Sequence, residues 1–263
     1  MIEHGSATIA FNKYRTVLEQ ALKLLPLHVN VTLLADRGFA DTGLMAYCEE
    51  FLGWSWIIRA KKSFRIHRSG KRSAKIGNLQ LKRGQAHCFH GISVTDQKYG
   101  PFHLAIGKPM NSKEAWYLLS SEPTSRATFA EYGLRFDIEE SFWDDKSNRF
   151  QLENSRLRNV EALNRLCFVL AVTTLFLVSQ GTAVVESGQR RLVDAHWFRG
   201  SSYLKIGWRW VQQAAKKKWK LIERLMLSPL PDLEPCFASK SDVDKRLWQL
   251  DLSYEAFGKF ANA

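Results

Sequence analysis

The chain has 263 residues and a mass of 30.2 kDa, enough for one large domain or two small ones. Apolar residues make up 45%, which supports a sizeable core and excludes global disorder. The 38 Lys and Arg exceed the 26 Asp and Glu by 12, and the pI near 9.6 favours a polyanionic partner, either nucleic acid or an anionic membrane surface. Cys48, Cys88, Cys167 and Cys236 lie far apart with no C-x-x-C, which excludes a disulfide scaffold or zinc ribbon and fits a reducing cytosol. The start, MIEHGSATIAFNKY, has no basic-then-apolar pattern, so no secretion signal is expected.

Residues 11–25 space their apolar side chains by three and four and predict an amphipathic helix, stopped before Pro26. VNVTLLAD, residues 29–36, reads as a buried strand ending in an acid. Residues 41–52 predict a helix with Asp41 as N-cap, and WSWIIRAK, residues 54–61, predicts the next strand. That strand–helix–strand order with short links points to a parallel pair in an α/β core. From 62 to 121, short alternating segments split by Gly, Asn and Pro predict an antiparallel β region. Residues 124–224 read as helical throughout, and a weakly polar helix is expected after Pro229-Leu230-Pro231. Leu166 to Val185 carries no charge and is about long enough to span a bilayer. Its Thr173, Thr174, Ser179, Gln180 and Gly181, and the lack of a companion span, favour a buried core helix.

The charge is segregated. Residues 61–84 carry nine Lys/Arg and no acid, and residues 190–224 carry ten against Asp194 and Glu223. Residues 121–156 hold five Lys/Arg and eight acids, a local net of −3. Basic segments neutralise phosphates without regard to base sequence, whereas an acidic patch repels them unless a cation bridges the two. Each basic run also reads as a solvated face.

Asp36 closes a buried strand at the carboxyl edge of the sheet, where open α/β sheets bind ligands. A turn or N-cap aspartate reads the same way. In YGLRFDIEESFWDDK, residues 132–146, Tyr132, Arg135, Glu139 and Lys146 fall within an arc of about 60° on one helical face. A surface pair, Arg135 with Glu139, worth about a few tenths of a kcal/mol, is the plain alternative.

The spacing Tyr132-x2-Arg135-x3-Glu139-x6-Lys146 resembles the Y-x2-R-x3-E-x6-K signature of bacterial insertion-sequence transposases of the DDE class. LLADRGFAD, residues 33–41, resembles the strand that ends in that family's second catalytic aspartate, which falls on Asp36. SSYLKIGWRWV, residues 201–211, resembles its C-terminal helix, so the resemblance spans about residues 10–215. The family places a β-rich segment before its glutamate helix, and here 103 residues separate Asp36 from Glu139. The resemblance implies an α/β, ribonuclease-H-like core with an inserted antiparallel β region and a helical C-terminal part. The corresponding segments are 1–61 for the partial core, 62–121 for the insertion, 122–224 for the helical remainder and 225–263 for the tail. It further implies carboxylates holding two Mg²⁺ ions, with Mn²⁺ as the substitute, and DNA strand cleavage and transfer in the cytoplasm.

Asp36 and Glu139 are then the catalytic and metal-holding residues. Tyr132, Arg135 and Lys146 grip phosphates beside the cut, with Trp143 one turn from Lys146. Arg37, Lys61, Lys62, Arg65, Arg68, Lys71 and Arg72 complete the expected DNA contacts. The partners implied are double-stranded DNA, as element ends and target, and a second copy or a full-length transposase in a mixed dimer; no membrane is expected. The family's first aspartate has no counterpart: Glu3 and Glu19 are the acids before Asp36, Glu19 within the predicted helix and Glu3 in a loop-like start. The expectation is therefore an N-terminally truncated copy lacking the first strands, with an incomplete metal site. The competing reading is a DNA-binding remnant, or an inhibitor of a full-length transposase, that does not cut.

Other motifs carry less. His87-Cys88-x-His90 falls on a strand whose alternation sends neighbours to opposite faces, which disfavours a metal site. Most of the nine tryptophans read as packing, and Lys216–Lys218 with Lys220 reads equally as a DNA contact or a solvated helix end. No G-x-x-x-x-G-K-[ST] or G-x-S-x-G occurs, which speaks against nucleotide hydrolysis and serine esterase chemistry.

Overall fold

A computed structural model describes residues 10–110, 114–136, 138, 150, 152–221, 223, 227 and 251–254. They belong to two units: a sheet unit within residues 3–141, joined by a strand from the tail, and a helical unit within residues 142–246.

In the sheet unit, α1 (Phe11–Leu24) places Phe11, Tyr14, Leu18 and Ala21 on one stripe against the core. It ends before Pro26, which lacks the N–H that another turn requires. The next run pairs over β1 (Thr32–Ala35). α2 (Thr42–Tyr47) starts at Asp41, whose carboxylate accepts the N–H groups of Gly43 and Leu44. It continues as a wider turn, Cys48–Leu52, and stops at Gly53 with φ 63°, a conformation that glycine adopts without a Cβ penalty. β2 (Ser55–Arg59) then lies parallel to β1, with Thr32 beside Ser55 and Ala35 beside Ile58.

The strands that follow are β3 (Arg65–His67), β4 (Ala74–Lys75), β5 (Gln85–Val94), β6 (Tyr99–Lys108) and β7 (Trp116–Ser120). Their pairings are antiparallel, as the alternation predicts. The order is β1-β2-β7-β6-β5-β3-β4, so these strands continue the β1–β2 sheet through β7. The tail departs from expectation, because Asp251–Tyr254 forms β8 rather than helix and pairs parallel with β5 at Gln85–Cys88. β3 reaches β5 only at Ser93 and Val94, and the exposed ladder groups of the other half of that edge accept a strand.

Alternation sorts the sheet into two faces. Trp56, Ile58, Leu104, Ile106 and Leu119 pack with α1 and α2 on one. Ile57, Ala86, Cys88, Ala105 and Leu118 pack on the other against Phe129 and Tyr132 of α3 (Arg126–Gly133). A capping box fixes the start of α3: Ser125 Oγ accepts the Ala127 N–H, and Thr128 Oγ1 accepts the Ser125 N–H.

The helical unit is built on α4 (Val160–Glu186) and α5 (Tyr203–Lys217), capped by Asn159 and Ser202. Short 3-10 turns, not continuous helix, fill 190–192 and 197–199. α4 is long and apolar enough to cross a membrane, and half of its apolar window is buried. Its second half is the core helix expected, with Ser179 to Val185 buried, whereas Phe168 in the first half is 70% exposed. The crossing with α5 is made by two glycines. A Cβ on Gly181 would collide with the Tyr203 carbonyl, and one on Gly207 with the Leu177 carbonyl.

Gly207→Ala should therefore destabilise the helical unit by about 1–3 kcal/mol, because the obstacle is backbone and cannot rotate away. Urea denaturation measures it, and an unchanged midpoint would refute backbone contact at this crossing. A second prediction concerns the β5–β6 pair, where His90 Nδ1 and His103 Nδ1 lie 3.0 Å apart. Burial, reinforced by His90 and opposed by Glu122, pushes the His103 imidazole below its ordinary 6.5. The unfolded chain then binds the proton more readily, so this stability is present above 6.5 and is lost as pH falls below it. Denaturation midpoints should drop between about pH 7.5 and about pH 5.5, and less so in His103→Gln.

Candidate active site

Strand alternation decides where Asp36 points. Leu33 and Ala35 belong to the α1–α2 face and Leu34 to the α3 face, so Asp36 emerges on the α3 side at the carboxyl end of β1. The carboxylate also caps a 3-10 turn, Arg37–Phe39, by accepting the Arg37 N–H at Oδ1. Asp36 is therefore the turn aspartate that its sequence position allows.

β2 ends at Arg59, one residue beyond the Ile58 that pairs with Ala35, and the charges of Asp36 and Arg59 both act on Tyr132. Arg59 Nη2 meets Glu114 Oε2 at 3.0 Å. Tyr132 arrives on the same face from α3, fully buried and edge-on to Trp116 with centroids 5.4 Å apart. Burial raises the Tyr132 phenol above its ordinary value; Asp36 pushes in the same direction, while Arg135 and Arg59 oppose it. Asp36, Arg59, Tyr132 and Arg135 thus share one electrostatic neighbourhood. The Arg135 guanidinium lies 4.5 Å from the Phe136 ring centroid and 5.6 Å from that of Tyr132, layered on aromatic surface rather than loose in solvent.

One geometric expectation is corrected. α3 ends at Gly133, and Leu134 and Arg135 form a turn in which the Arg135 N–H donates to the Tyr132 carbonyl at 3.1 Å. Tyr132 thus lies in the last turn of α3 and Arg135 in the turn that follows, with helical backbone again at Phe136 and Ile138. The reason is local: Gly133 has low helix propensity and nothing within 4 Å of its Cβ position to hold the turn. Glu139, Trp143 and Lys146 lie outside the described residues.

The basic residues divide by position. Arg37 is exposed beside Asp36, and Lys61 and Lys62 follow the end of β2. Arg65, Arg68, Lys71 and Arg72 lie on and after β3, at the far end of the strand order from β1. Arg65 pairs with Asp96 at 3.0 Å, Arg68 lies over the Phe89 ring, and Lys71 and Arg72 are exposed. His87 and Cys88 point to opposite faces, as alternation requires: Cys88 is buried with Ala86 and Ala105, and His87 approaches Phe89.

Arg59 is the residue sequence reading missed. Its signal was present, because it ends the strand that follows the one Asp36 closes. Glu19 is engaged elsewhere. It lies on α1 and accepts from Tyr47 Oη at 2.8 Å and Arg15 Nε at 2.9 Å. Those bonds, Tyr47 first, hold its carboxyl below the usual range. Among the described residues no three His, Cys, Asp or Glu side chains group as a metal site. Asp36 offers a hard carboxylate oxygen of the type that Mg²⁺ takes, and Glu139 is the other acid of the signature.

The family model for the transposase DDE domain matches residues 12–176. That span is more than half of the chain, and it holds Asp36, Arg59, Tyr132, Arg135 and Glu139. The chain belongs to the DDE transposase family. No curated protein matches it. Transposases of this family act on DNA and generally depend on a divalent metal, so the site of this transposase is read against a phosphodiester.

Arg59→Ala should weaken DNA binding and lower the magnitude of the slope of log K against log salt by about one, while Arg59→Lys largely preserves it. Anisotropy titrations over a range of salt concentrations measure both. An unchanged slope in a folded Arg59→Ala variant would place this guanidinium away from phosphate.

Proposed function

We propose that this transposase takes part in DNA strand cleavage and transfer, contributing Asp36 and Glu139 to a metal site. The observation that carries the reading is the convergence of Asp36, Arg59, Tyr132 and Arg135 on one face at the carboxyl end of a parallel strand pair. That pair, with α2 between its strands, is the part of a ribonuclease-H-like core that we assign to residues 1–61. The antiparallel strands of 62–121 are the insertion, 122–224 the helical remainder and 225–263 the tail.

Asp36 and Glu139 would hold a divalent cation, Mg²⁺ or Mn²⁺. Such an ion, when bound, lowers the pKa of an attacking hydroxyl and neutralises charge at phosphorus. The remaining work belongs to side chains. Arg135, held over the Phe136 ring at 4.5 Å, supplies positive charge beside Asp36 and Tyr132 where a phosphate would lie. Tyr132 acts by packing, since its buried ring fixes the turn that carries Arg135. Lys146 and Trp143 complete the grip beside the cut. Arg37, Lys61 and Lys62 hold backbone near the reacting phosphate, and Arg65, Arg68, Lys71 and Arg72 hold duplex further out. Double-stranded DNA is the partner, with a second copy or a full-length transposase completing a dimer in the cytoplasm.

The carboxylate inventory also favours the second reading, a binder that does not cut. Two acids hold two divalent ions poorly, and Glu19 is committed to Arg15 and Tyr47. A polypeptide of these 263 residues should bind duplex DNA in a strongly salt-sensitive, Mg²⁺-independent way and should not nick supercoiled plasmid. Failure to bind at low salt would sink both readings. Nicking that persists in Asp36→Asn would remove Asp36 from the site, and nicking that disappears in it would show that two signature acids suffice.

A further inference from the structure

The β5–β6 ladder shifts register after Phe89. Phe89 pairs with Leu104 and Ile92 with Phe102, so two residues, His90 and Gly91, stand opposite the single His103. Gly91 takes φ 64°, and the space at its Cβ position is open, as suits the extra residue of a bulge. A bulge re-aims the side chain beside it, and here that side chain is His90. Alternation from Cys88 and Ala105 puts His90 and His103 on the α3 face of the sheet. Their Nδ1 atoms approach to 3.0 Å, with ring centroids 5.2 Å apart and planes at 60°.

Two ring nitrogens at that distance aim at one point between them. A neutral imidazole carries one N–H and one lone pair, so that point holds a single shared proton or, with both lone pairs turned to it, a cation. Two Zn–N bonds of about 2.0–2.1 Å at a tetrahedral angle hold their nitrogens about 3.3 Å apart, within about 0.3 Å of the spacing seen here. A small rotation of either ring supplies the difference. Glu122 is the acid whose charge acts on His103, and it favours positive charge there.

We propose that His90 and His103 form a two-nitrogen site for an imidazole-preferring divalent cation, Zn²⁺ above all, which clasps β5 to β6 across the bulge. Water fills the remaining positions of a four-coordinate ion. Nitrogen ligands select Zn²⁺, Ni²⁺ and Cu²⁺ over Mg²⁺, which takes carboxylate oxygen. The cation therefore differs in kind from the one proposed at Asp36 and Glu139, and the site does not depend on the chain acting on DNA. His87, on the other face of β5 from Cys88, is no part of it.

The test uses the full chain without an affinity tag, stripped of metal and then held in excess Mg²⁺ so that carboxylate sites are filled. Zn²⁺ should raise the melting temperature by about 3 °C or more. In titration calorimetry, His90→Gln and His103→Gln should each weaken Zn²⁺ binding at least about tenfold, while Asp36→Asn binds as the unaltered chain does. If either histidine variant melts early, the imidazole nitrogen resonances of the unaltered chain carry the test. Zn²⁺ should move those of His90 and His103 and leave the other histidines in place. No rise in melting temperature, unchanged Zn²⁺ affinity in both histidine variants, or resonance shifts confined to other histidines would overturn the site. Loss of binding in Asp36→Asn would also overturn it, by assigning the ion to the carboxylates.

Discussion

The candidate site depends on the register of one pair of parallel strands. β1 and β2 share only four paired positions, yet their alignment decides which side chains share a face one residue beyond Ala35 and Ile58. A strand has period two, so a slip of one residue would send Arg59 to the opposite face from Asp36. Register here is enforced by burial on both faces: Trp56 and Ile58 pack toward α1 and α2, and Ile57 packs toward α3. Hydrophobic sorting in the middle of the strands thereby positions charges at their ends.

The two units are specified by different physics. The sheet unit tolerates irregularity, since the β5–β6 ladder shifts register between Phe89 and Ile92 and again before Val94, and the tail strand joins an edge left half open. The helical unit has less latitude. Its crossing brings backbone to backbone at Gly181 and Gly207, and its buried Arg190–Asp194 pair must remain satisfied by Arg209 and Ser201. Removing a partner there would leave a charge without water or counter-ion, which costs more than the pair itself contributes.

Much of the sheet unit was legible in the sequence, because apolar period and punctuation report burial and turns directly. α1 and the Asp41 cap follow the pattern nearly to the residue, and so does the β1–α2–β2 order. The tail strand was not legible. DLSY, residues 251–254, has weak propensity, and its conformation comes from an edge of β5 far away in the chain. The end of α3 at Gly133 was missed for a related reason. The signature spacing suggests one ideal helix, while Gly133 lets the chain turn at that point. Residue identities were readable but neighbours were not, so the sequence singled out Asp36, Tyr132 and Arg135 without showing Arg59 in the same neighbourhood.

Arginine and lysine divide the labour of a strongly basic protein. The ion pairs Arg15–Glu19, Arg59–Glu114, Arg65–Asp96 and Arg190–Asp194 all use arginine, and so do the layers on Phe89, Phe136 and Trp197. A planar, weakly hydrated fork suits fixed geometry, whereas the ammonium of lysine stays hydrated on a flexible stem. Arginine pairing draws acids such as Asp194 and Glu19 into local structure and lowers the anionic charge that would repel a phosphodiester. The exposed lysines at 62, 71, 75, 82, 216 and 218 are left as a diffuse positive field, while Lys217 Nζ lies 4.8 Å from the Trp219 centroid. Such a field gathers nucleic acid without choosing a geometry.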